Sequence, residues 1–287
     1  IRDRDIIDGL VSSFRRSEKL QIHTRFLYSV GSIYRRHNGN LLYHGCIPCD
    51  GNGEFMEFSL YSDTPLKGRA FLDWADRLAR QGYFAPDGSM ERLRGLDFLW
   101  FLWCGRNSPI CGRTKITTFE RALIEDKASY TEPKNPYYVY YGSEEFCRRI
   151  LDDFDLHKPW SRIINGHMPV KVKEGEDPRK GGGRLVVIDG GFCKAYHKQT
   201  GIAGYTMFFS SHGMRIAAHE PFTTREEAIH GKKDITSHSF IVENLPRRLM
   251  ISDTDAGEGI KRRIEDLNAL LDAYRSGTIK TDSTGRI

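Results

Sequence analysis

Apolar residues recur at helical spacing over the first 37 positions. Ile6, Ile7, Leu10, Val11 and Phe14 fall in one stripe, and Phe26, Leu27 and Val30 continue the pattern, so the chain opens on predicted helix. Asn38-Gly39-Asn40 breaks the pattern as a turn, and Leu41-Leu42-Tyr43 behind it predicts a short buried strand that ends at His44. Between Pro65 and Gln81 the helical period returns, with Phe71, Leu72, Trp74, Ala75 and Leu78 on one face. Residues 96–103 are apolar almost throughout and too short for period alone to choose between helix and strand. The tyrosines of 137–141 favour strand by composition.

Helix is predicted again from Glu144 to Phe154, followed by a strand, Arg162-Ile163-Ile164-Asn165, that runs into Gly166-His167. Residues 171–184 form a charged, glycine-rich loop. Leu185-Val186-Val187-Ile188 is the clearest buried strand and stops at Asp189-Gly190-Gly191. Segments 205–209 and 214–218 predict a hairpin around 210–213, then a short helix at 224–229 and a strand at Phe240-Ile241-Val242. Residues 257–275 predict an amphipathic helix with Ile260, Ile264, Leu267, Leu270, Leu271 and Tyr274 turned inward. Strands and helices intermingle without an internal repeat, which predicts a mixed α/β (α+β) fold.

Composition narrows the function classes. At 287 residues the chain can bury a core without disulfide staples, as one large domain or two ordinary ones. With 39% hydrophobic and 28% charged residues it is not of disordered type. The longest apolar run, 98–104, is far too short to span a bilayer, so no membrane role is expected. The charge alternation at Ile1-Arg2-Asp3-Arg4-Asp5 shows no secretory leader, and six cysteines without a disulfide pattern fit a reducing cytoplasm. The net charge of +5 is too small to imply nucleic acid. Its basic residues are interleaved with acids, as in Lys261-Arg262-Arg263-Ile264-Glu265-Asp266, and a modest positive surplus suits a phosphorylated ligand better.

Several chemical motifs are missing: the phosphate-cradling G-x-x-x-x-G-K-[ST], the dinucleotide G-x-G-x-x-G, the nucleophile elbow G-x-S-x-G and the zinc-binding H-E-x-x-H. Gly181-Gly182-Gly183 precedes a strand rather than following one, so it predicts a flexible turn. Cys46-x-x-Cys49 has zinc or redox spacing but no second pair to complete four ligands; two small buried thiols are the plainer expectation.

Two histidines share an uncommon context. His44 and His167 each close a short apolar strand, beside glycine, near a following proline: Tyr43-His44-Gly45-Cys46-Ile47-Pro48 and Asn165-Gly166-His167-Met168-Pro169. Open α/β sheets gather ligand sites at strand carboxyl ends, and a neutral imidazole there can bind a divalent metal. A structural histidine at a strand end is the alternative for either one alone.

The segment Leu42-Tyr43-His44-Gly45-Cys46-Ile47-Pro48 resembles the H-G-G-L-S-P segment of calcineurin-like metallophosphatases. Asp97-Phe98-Leu99-Trp100 is similar to their D-L-L-W, Asn165-Gly166-His167-Met168-Pro169-Val170 to their G-H-T-P-V, and Ile188-Asp189-Gly190-Gly191 to their D-T-G strand end. The nearer resemblance is to the bacterial class III, manganese-dependent fructose-1,6-bisphosphatases. It extends through Trp103-Cys104-Gly105-Arg106-Asn107-Ser108-Pro109, residues 164–170, 187–195, 200–206 and 252–257, in consistent order.

That resemblance implies the C-terminal part of a metallophosphatase β-sandwich flanked by helices. It implies a helical lead-in (1–37), a partial catalytic domain (38–255) and a terminal helix and tail (256–287). It implies hydrolysis of the 1-phosphate of fructose 1,6-bisphosphate in gluconeogenesis by a hydroxide activated between two metal ions, here Mn²⁺, with His44 and His167 as ligands. For substrate phosphate, Arg106, Asn107, Arg113 and Lys194 are the candidates, with Lys171, Lys173 and Lys180 nearby; guanidinium forks suit phosphate oxygens, and Arg106 is the leading one.

The family's remaining ligand motifs, G-D-x-x-D and G-N-H-E, occur nowhere in the chain. Asp155-Leu156-His157 spells D-x-H but falls after His44, where a solvated connector is expected. Two histidines cannot hold two hard cations without oxygen ligands. The chain, which starts at Ile1, is therefore expected to be part of a longer enzyme, to need the N-terminal portion, to be inactive alone, and to expose sticky apolar surface around 96–103. Other substrates (a phosphoprotein or dinucleotide polyphosphate), a purely binding or assembly role and a homo-oligomer remain open.

Overall fold

The computed structural model describes residues 3–191, 193, 197–202, 204–220, 224–230 and 237–280. They divide into two compact units, Ile1–Arg35 with Tyr43–Phe154, and Arg36–Leu42 with Asp155–Ile287. The secondary structure is mixed, as the intermingled patterns predict.

The first unit is helical: α1 (Asp3–Arg16) and α2 (Glu18–Val30), then, beyond the strands β1 (Tyr34–His37) and β2 (Asn40–Tyr43), α3 (Gly68–Phe84), α4 (Met90–Cys104), α5 (Thr118–Leu123), α6 (Tyr137–Tyr140) and α7 (Glu144–Asp153). Serine caps open three of them, with Ser17, Ser89 and Ser143 accepting from the N–H groups of Leu20, Arg92 and Phe146. Helices α3 and α4 form the core seam. Phe71, Leu72, Ala75 and Leu78 on α3 meet Phe98 and Leu102 on α4, and all are buried. The helices approach so closely at Gly82 and Gly95 that a Cβ on Gly95 would lie 2.2 Å from the Gly82 nitrogen. Arg80 on α3, paired with Asp76 at 2.7 Å, donates to the carbonyls of Tyr28 and Gly31 and so ties down the end of α2.

The second unit carries two sheets. Asn38 (φ 49°) and Gly39 (φ 82°) supply the paired positive φ values of a tight hairpin turn between β1 and β2. With β3 (Ile163–Asn165), β4 (Arg179–Lys180) and β5 (Leu185–Val187) these strands form a five-stranded sheet in the order β1-β2-β3-β5-β4. Strands β3 and β5 run parallel in register Ile163↔Leu185 to Asn165↔Val187, and all six residues are buried. After α8 (His197–Thr200), β6 (Gly204–Ser210), β7 (Gly213–His219) and, past α9 (Arg225–His230), β8 (Ser237–Asn244) make an antiparallel sheet; α10 (Asp255–Arg275) follows. Thr254 caps α10, and Asp255 exchanges hydrogen bonds with Asn38 in the first hairpin.

Three local expectations change, and one open choice, at 96–103, is settled. The opening helical stretch stops at Val30, and 34–37 is strand. Residues 96–103 are helix, inside α4. The tyrosine run is helix α6 rather than strand, because Pro136, already in αR geometry at its N-cap, fixes φ for a helical start and tertiary contacts hold Tyr137 fully buried. The loop 171–184 holds two short 3₁₀ turns and β4.

The α10 correction concerns burial. Ile260, Ile264, Leu267, Leu270, Leu271 and Tyr274 lie along the helix as predicted, but all are exposed, Leu267 at 63%. Ile6, Ile7, Leu10 and Phe14 on α1, and Leu93, Leu96, Trp100 and Trp103 on α4, are exposed as well. Contiguous apolar surface of this kind ordinarily marks an interaction face. No helix among the described residues is long and apolar enough to cross a membrane.

Candidate functional site

In the first unit, the Tyr43 hydroxyl lies 2.7 Å from that of Tyr137 in the core, and the chain then brings exposed His44 to the surface. The next residues dive inward against a turn. The Cys46 N–H donates to the Pro109 carbonyl at 2.8 Å, and a Cβ on Gly45 would lie 1.9 Å from that same oxygen. Glycine is therefore required beside His44 by close backbone approach.

The turn is Gly105-Arg106-Asn107-Ser108-Pro109, directly after α4. Fully buried Ser108 donates to the Leu102 carbonyl at 2.6 Å and accepts from the N–H groups of Ile110 and Cys111, each at 3.2 Å. It thereby satisfies a carbonyl at the helix end and folds the chain back. Asn107 adopts φ 63°, a left-handed conformation that asparagine tolerates better than most residues. Arg106 is exposed and has no hydrogen-bond or ion-pair partner among the described residues, so its guanidinium is available to an anion. Of the sequence candidates, His44, Arg106 and Asn107 thus fall on two segments that pack together.

Arg113 has a different environment. Its guanidinium donates to Glu132 at 2.8 Å, and Glu132 also accepts from the Thr117 N–H and hydroxyl, each at 2.8 Å. Burial would raise the Glu132 pKa, but the Thr117 hydrogen bonds and the charges of Arg113 and Arg121 outweigh it and hold the carboxyl below the usual glutamate value. Arg113 is already engaged in a structural clamp.

Cys46 and Cys49 behave as packed thiols. Burial, reinforced by neighbouring Cys49 and Cys111, raises Cys46 well above the ordinary thiol value; burial and then Asp50 push Cys49 up to about 12. Neither is a ready thiolate, the form needed for zinc or redox chemistry.

In the second unit, parallel β3 and β5 release Gly166-His167 and Ile188-Asp189 at the same, carboxyl end. The Ile188 N–H donates to the Asn165 carbonyl at 2.9 Å, and the Val170 N–H donates to the Asp189 carbonyl at 2.8 Å, so main-chain bonds lace the two loops together. His167 is half-buried at φ 67°, which costs strain in a residue with a full side chain. The Asp189 carboxylate accepts from the Gly191 N–H at 2.9 Å. Lys171 and Lys180 pair with Glu174 and Glu176, and Lys173 donates to the Lys198 carbonyl. Lys194 lies outside the described residues.

Asp155 (φ 55°) follows α7 as its left-handed C-terminal residue and meets Arg36 at 3.6 Å, which accounts for the D-x-H spelling structurally. Among the described residues no three of His, Cys, Asp and Glu lie together as a metal-binding group. Glu132 and Asn135, which help organise the His44 half, carry no recognisable motif; Ser108 falls within the family-like stretch 103–109.

Comparison with known proteins decides the family. Residues 1–276 match the model of the Firmicute fructose-1,6-bisphosphatase family. The chain belongs to that family. A fructose-1,6-bisphosphatase class 3 of Clostridium botulinum (strain 657 / Type Ba4) is 51% identical over 286 residues, covering 100% of this chain and 43% of the relative. One from Clostridioides difficile (strain 630) is 48% identical over 280 residues, covering 98% and 42%. The class III resemblance is thus borne out, and the chain spans less than half the length of these relatives. No solved structure matches the chain.

Proposed function

We propose that this chain forms part of a class 3 fructose-1,6-bisphosphatase and contributes to removal of the 1-phosphate from fructose 1,6-bisphosphate, yielding fructose 6-phosphate in gluconeogenesis. The observation that carries this reading is the half-identity to class 3 enzymes over the whole chain. Arg106, unpaired among the described residues on a turn packed against the His44 segment, would hold a phosphate of the substrate by charge-assisted hydrogen bonds. Asn107 adds a neutral donor beside it.

The donor set bears on the metal. The imidazole of His44 in the first unit and that of His167 in the second would each be a manganese ligand only alongside carboxylates, and the described residues supply no complete group. The remaining ligands would come from the length that the relatives carry beyond the match. Mn²⁺ held there would act as a Lewis acid toward the phosphoryl group and activate water. The stretch 38–255 carries the site residues. The lead-in 1–37 and the segment from 256 onward, together with the outer face of α4, supply apolar surface for the rest of the longer polypeptide to cover.

The test joins this chain to the remaining length of the C. botulinum relative, adds Mn²⁺, and compares phosphate release from fructose 1,6-bisphosphate with release from a phosphopeptide. Turnover of the sugar bisphosphate, lost in His44→Ala and in His167→Ala, is the expected result. The chain alone is expected to show negligible turnover. Unchanged release by His44→Ala would remove it as a ligand, and preference for the phosphopeptide would remove the substrate assignment.

A further inference from the structure

Asn135 is 1% exposed and belongs to no recognised motif, yet three segments of the first unit meet on its side chain. Its Oδ1 accepts from the backbone N–H of Cys49 at 3.2 Å and of Tyr137 at 3.0 Å, with the Cys49 thiol at 3.9 Å. Its own backbone N–H donates to the Gly112 carbonyl at 3.0 Å. Backbone N–H groups can only donate, so they dictate which branch of the carboxamide is oxygen, and the amide cannot flip without burying donor against donor. The Nδ2 branch is thereby fixed toward Asn107, whose Oδ1 lies 3.4 Å away.

The constraint propagates. A flipped Asn107 would put its Nδ2 against the Nδ2 of Asn135, so Asn107 must turn its oxygen inward. The Asn107 Nδ2, on the opposite branch, has no partner among the described residues, and next to it in sequence is exposed, unpaired Arg106. The left-handed φ of 63° at Asn107 lets the turn hold this arrangement.

We propose that Asn135 is a positioning residue for the phosphate-binding turn: its locked carboxamide orients Asn107 so that the Asn107 N–H₂ group joins Arg106 as a donor to a substrate phosphate. The inference rests on the proposed phosphate role of that turn. At 3.4 Å the Asn135–Asn107 bond is long, so its contribution lies in orientation more than in strength.

A double-mutant cycle in an enzyme of the relatives' full length that contains this chain tests it, with fructose 1,6-bisphosphate as substrate and Mn²⁺ present. Asn107→Gly keeps the left-handed backbone and removes the donor; Asn135→Asp keeps the acceptor for Cys49 and Tyr137 and removes the N–H₂ toward Asn107. Each is expected to raise KM about tenfold, the loss of one hydrogen bond to a charged group. Each should leave kcat within about twofold, as uniform binding requires. The double variant is expected to be no worse than either single one. A wild-type KM in Asn135→Asp, or effects that multiply in the double variant, would overturn the positioning role while leaving Arg106 in place. Should Asn135→Asp not fold, Asn107→Asp takes its place: it still accepts from Asn135 but turns a negative oxygen outward. Its KM should exceed that of Asn107→Gly, and an unchanged KM overturns the inference. Arg106→Ala is measured in parallel, and a wild-type KM there would instead bring down the phosphate role of the turn.

Discussion

His44 and His167 follow strands in nearly the same local sequence, but the protein holds them by opposite means. The His44 segment has ordinary backbone geometry and is wedged from outside: Gly45 lies under the Pro109 carbonyl, and Ser108 and Asn135 pin the facing loops through side chains. The His167 segment is held by main-chain bonds between two parallel strand ends, and the histidine itself takes up a left-handed conformation. One pattern in the chain therefore conceals two kinds of constraint, steric in the first unit and conformational in the second.

Substitutions at the two positions should separate these constraints, in opposite directions. Gly45→Ala places a methyl group into a backbone oxygen, which cannot rotate away, and is expected to destabilise the chain by about 3 kcal/mol or to prevent folding. Urea titration measures it, and near-wild-type stability would mean that the turn can retreat from Gly45.

Next in size is the clamp beside the His44 half. Arg113→Ala removes the ion pair of Glu132, leaving the carboxylate only its Thr117 hydrogen bonds, and is expected to cost about 2 kcal/mol by the same titration. The pH dependence follows from the sign of the Glu132 shift. Its pKa is lower in the folded chain than in the unfolded one, so its stabilisation is complete above the unfolded value of 4.5 and is lost as pH falls through the lower folded value. Glu132→Gln should lower stability at neutral pH and flatten that acid limb; an acid limb as steep as wild type would show that Glu132 is not responsible.

His167→Gly should do the reverse of Gly45→Ala. Glycine takes positive φ without Cβ strain, so stability is expected to rise by about 1 kcal/mol even as the imidazole is lost. A fall in stability would show that side-chain contacts of His167 outweigh its backbone strain. The smallest effect is expected where the surface is already open. Leu267→Lys on α10 should change the stability of this chain by less than about 0.5 kcal/mol in the same urea titration, since the leucine is exposed. A large loss of stability would mean that the α10 stripe is covered in this chain after all.

Features set by neighbours in sequence can be seen in advance; those set across the fold cannot. The turn at Asn38-Gly39, the hairpin of β6 and β7, and buried β5 were legible because each is specified by neighbours in sequence: paired positive φ, strand alternation, an apolar run bounded by turn residues. The histidines stand out by their shared strand-end context, and, with Arg106 and Asn107, by segments that resemble a family. Tyrosine favours strands, but at Tyr137 Pro136 starts a helix and the Tyr43 hydroxyl receives the side chain. Asn135 was invisible because its partners, Cys49 and Asn107, are 86 and 28 positions away.

The sequence by itself determined the periodicities, hence the mixed α/β character and the helical register of α10, and it carried the family likeness that 51% identity bears out. Only the tertiary structure decided which apolar stripes find cover: Phe71, Leu72 and Leu78 on α3 do, whereas those of α1 and α10 and the outer stripe of α4 stand open. It also decided which polar groups are already committed, leaving Arg106 available and engaging Arg113. The reason is physical. Periodicity and turn chemistry act over a few residues, whereas burial and hydrogen-bond partnership depend on segments that folding alone brings together.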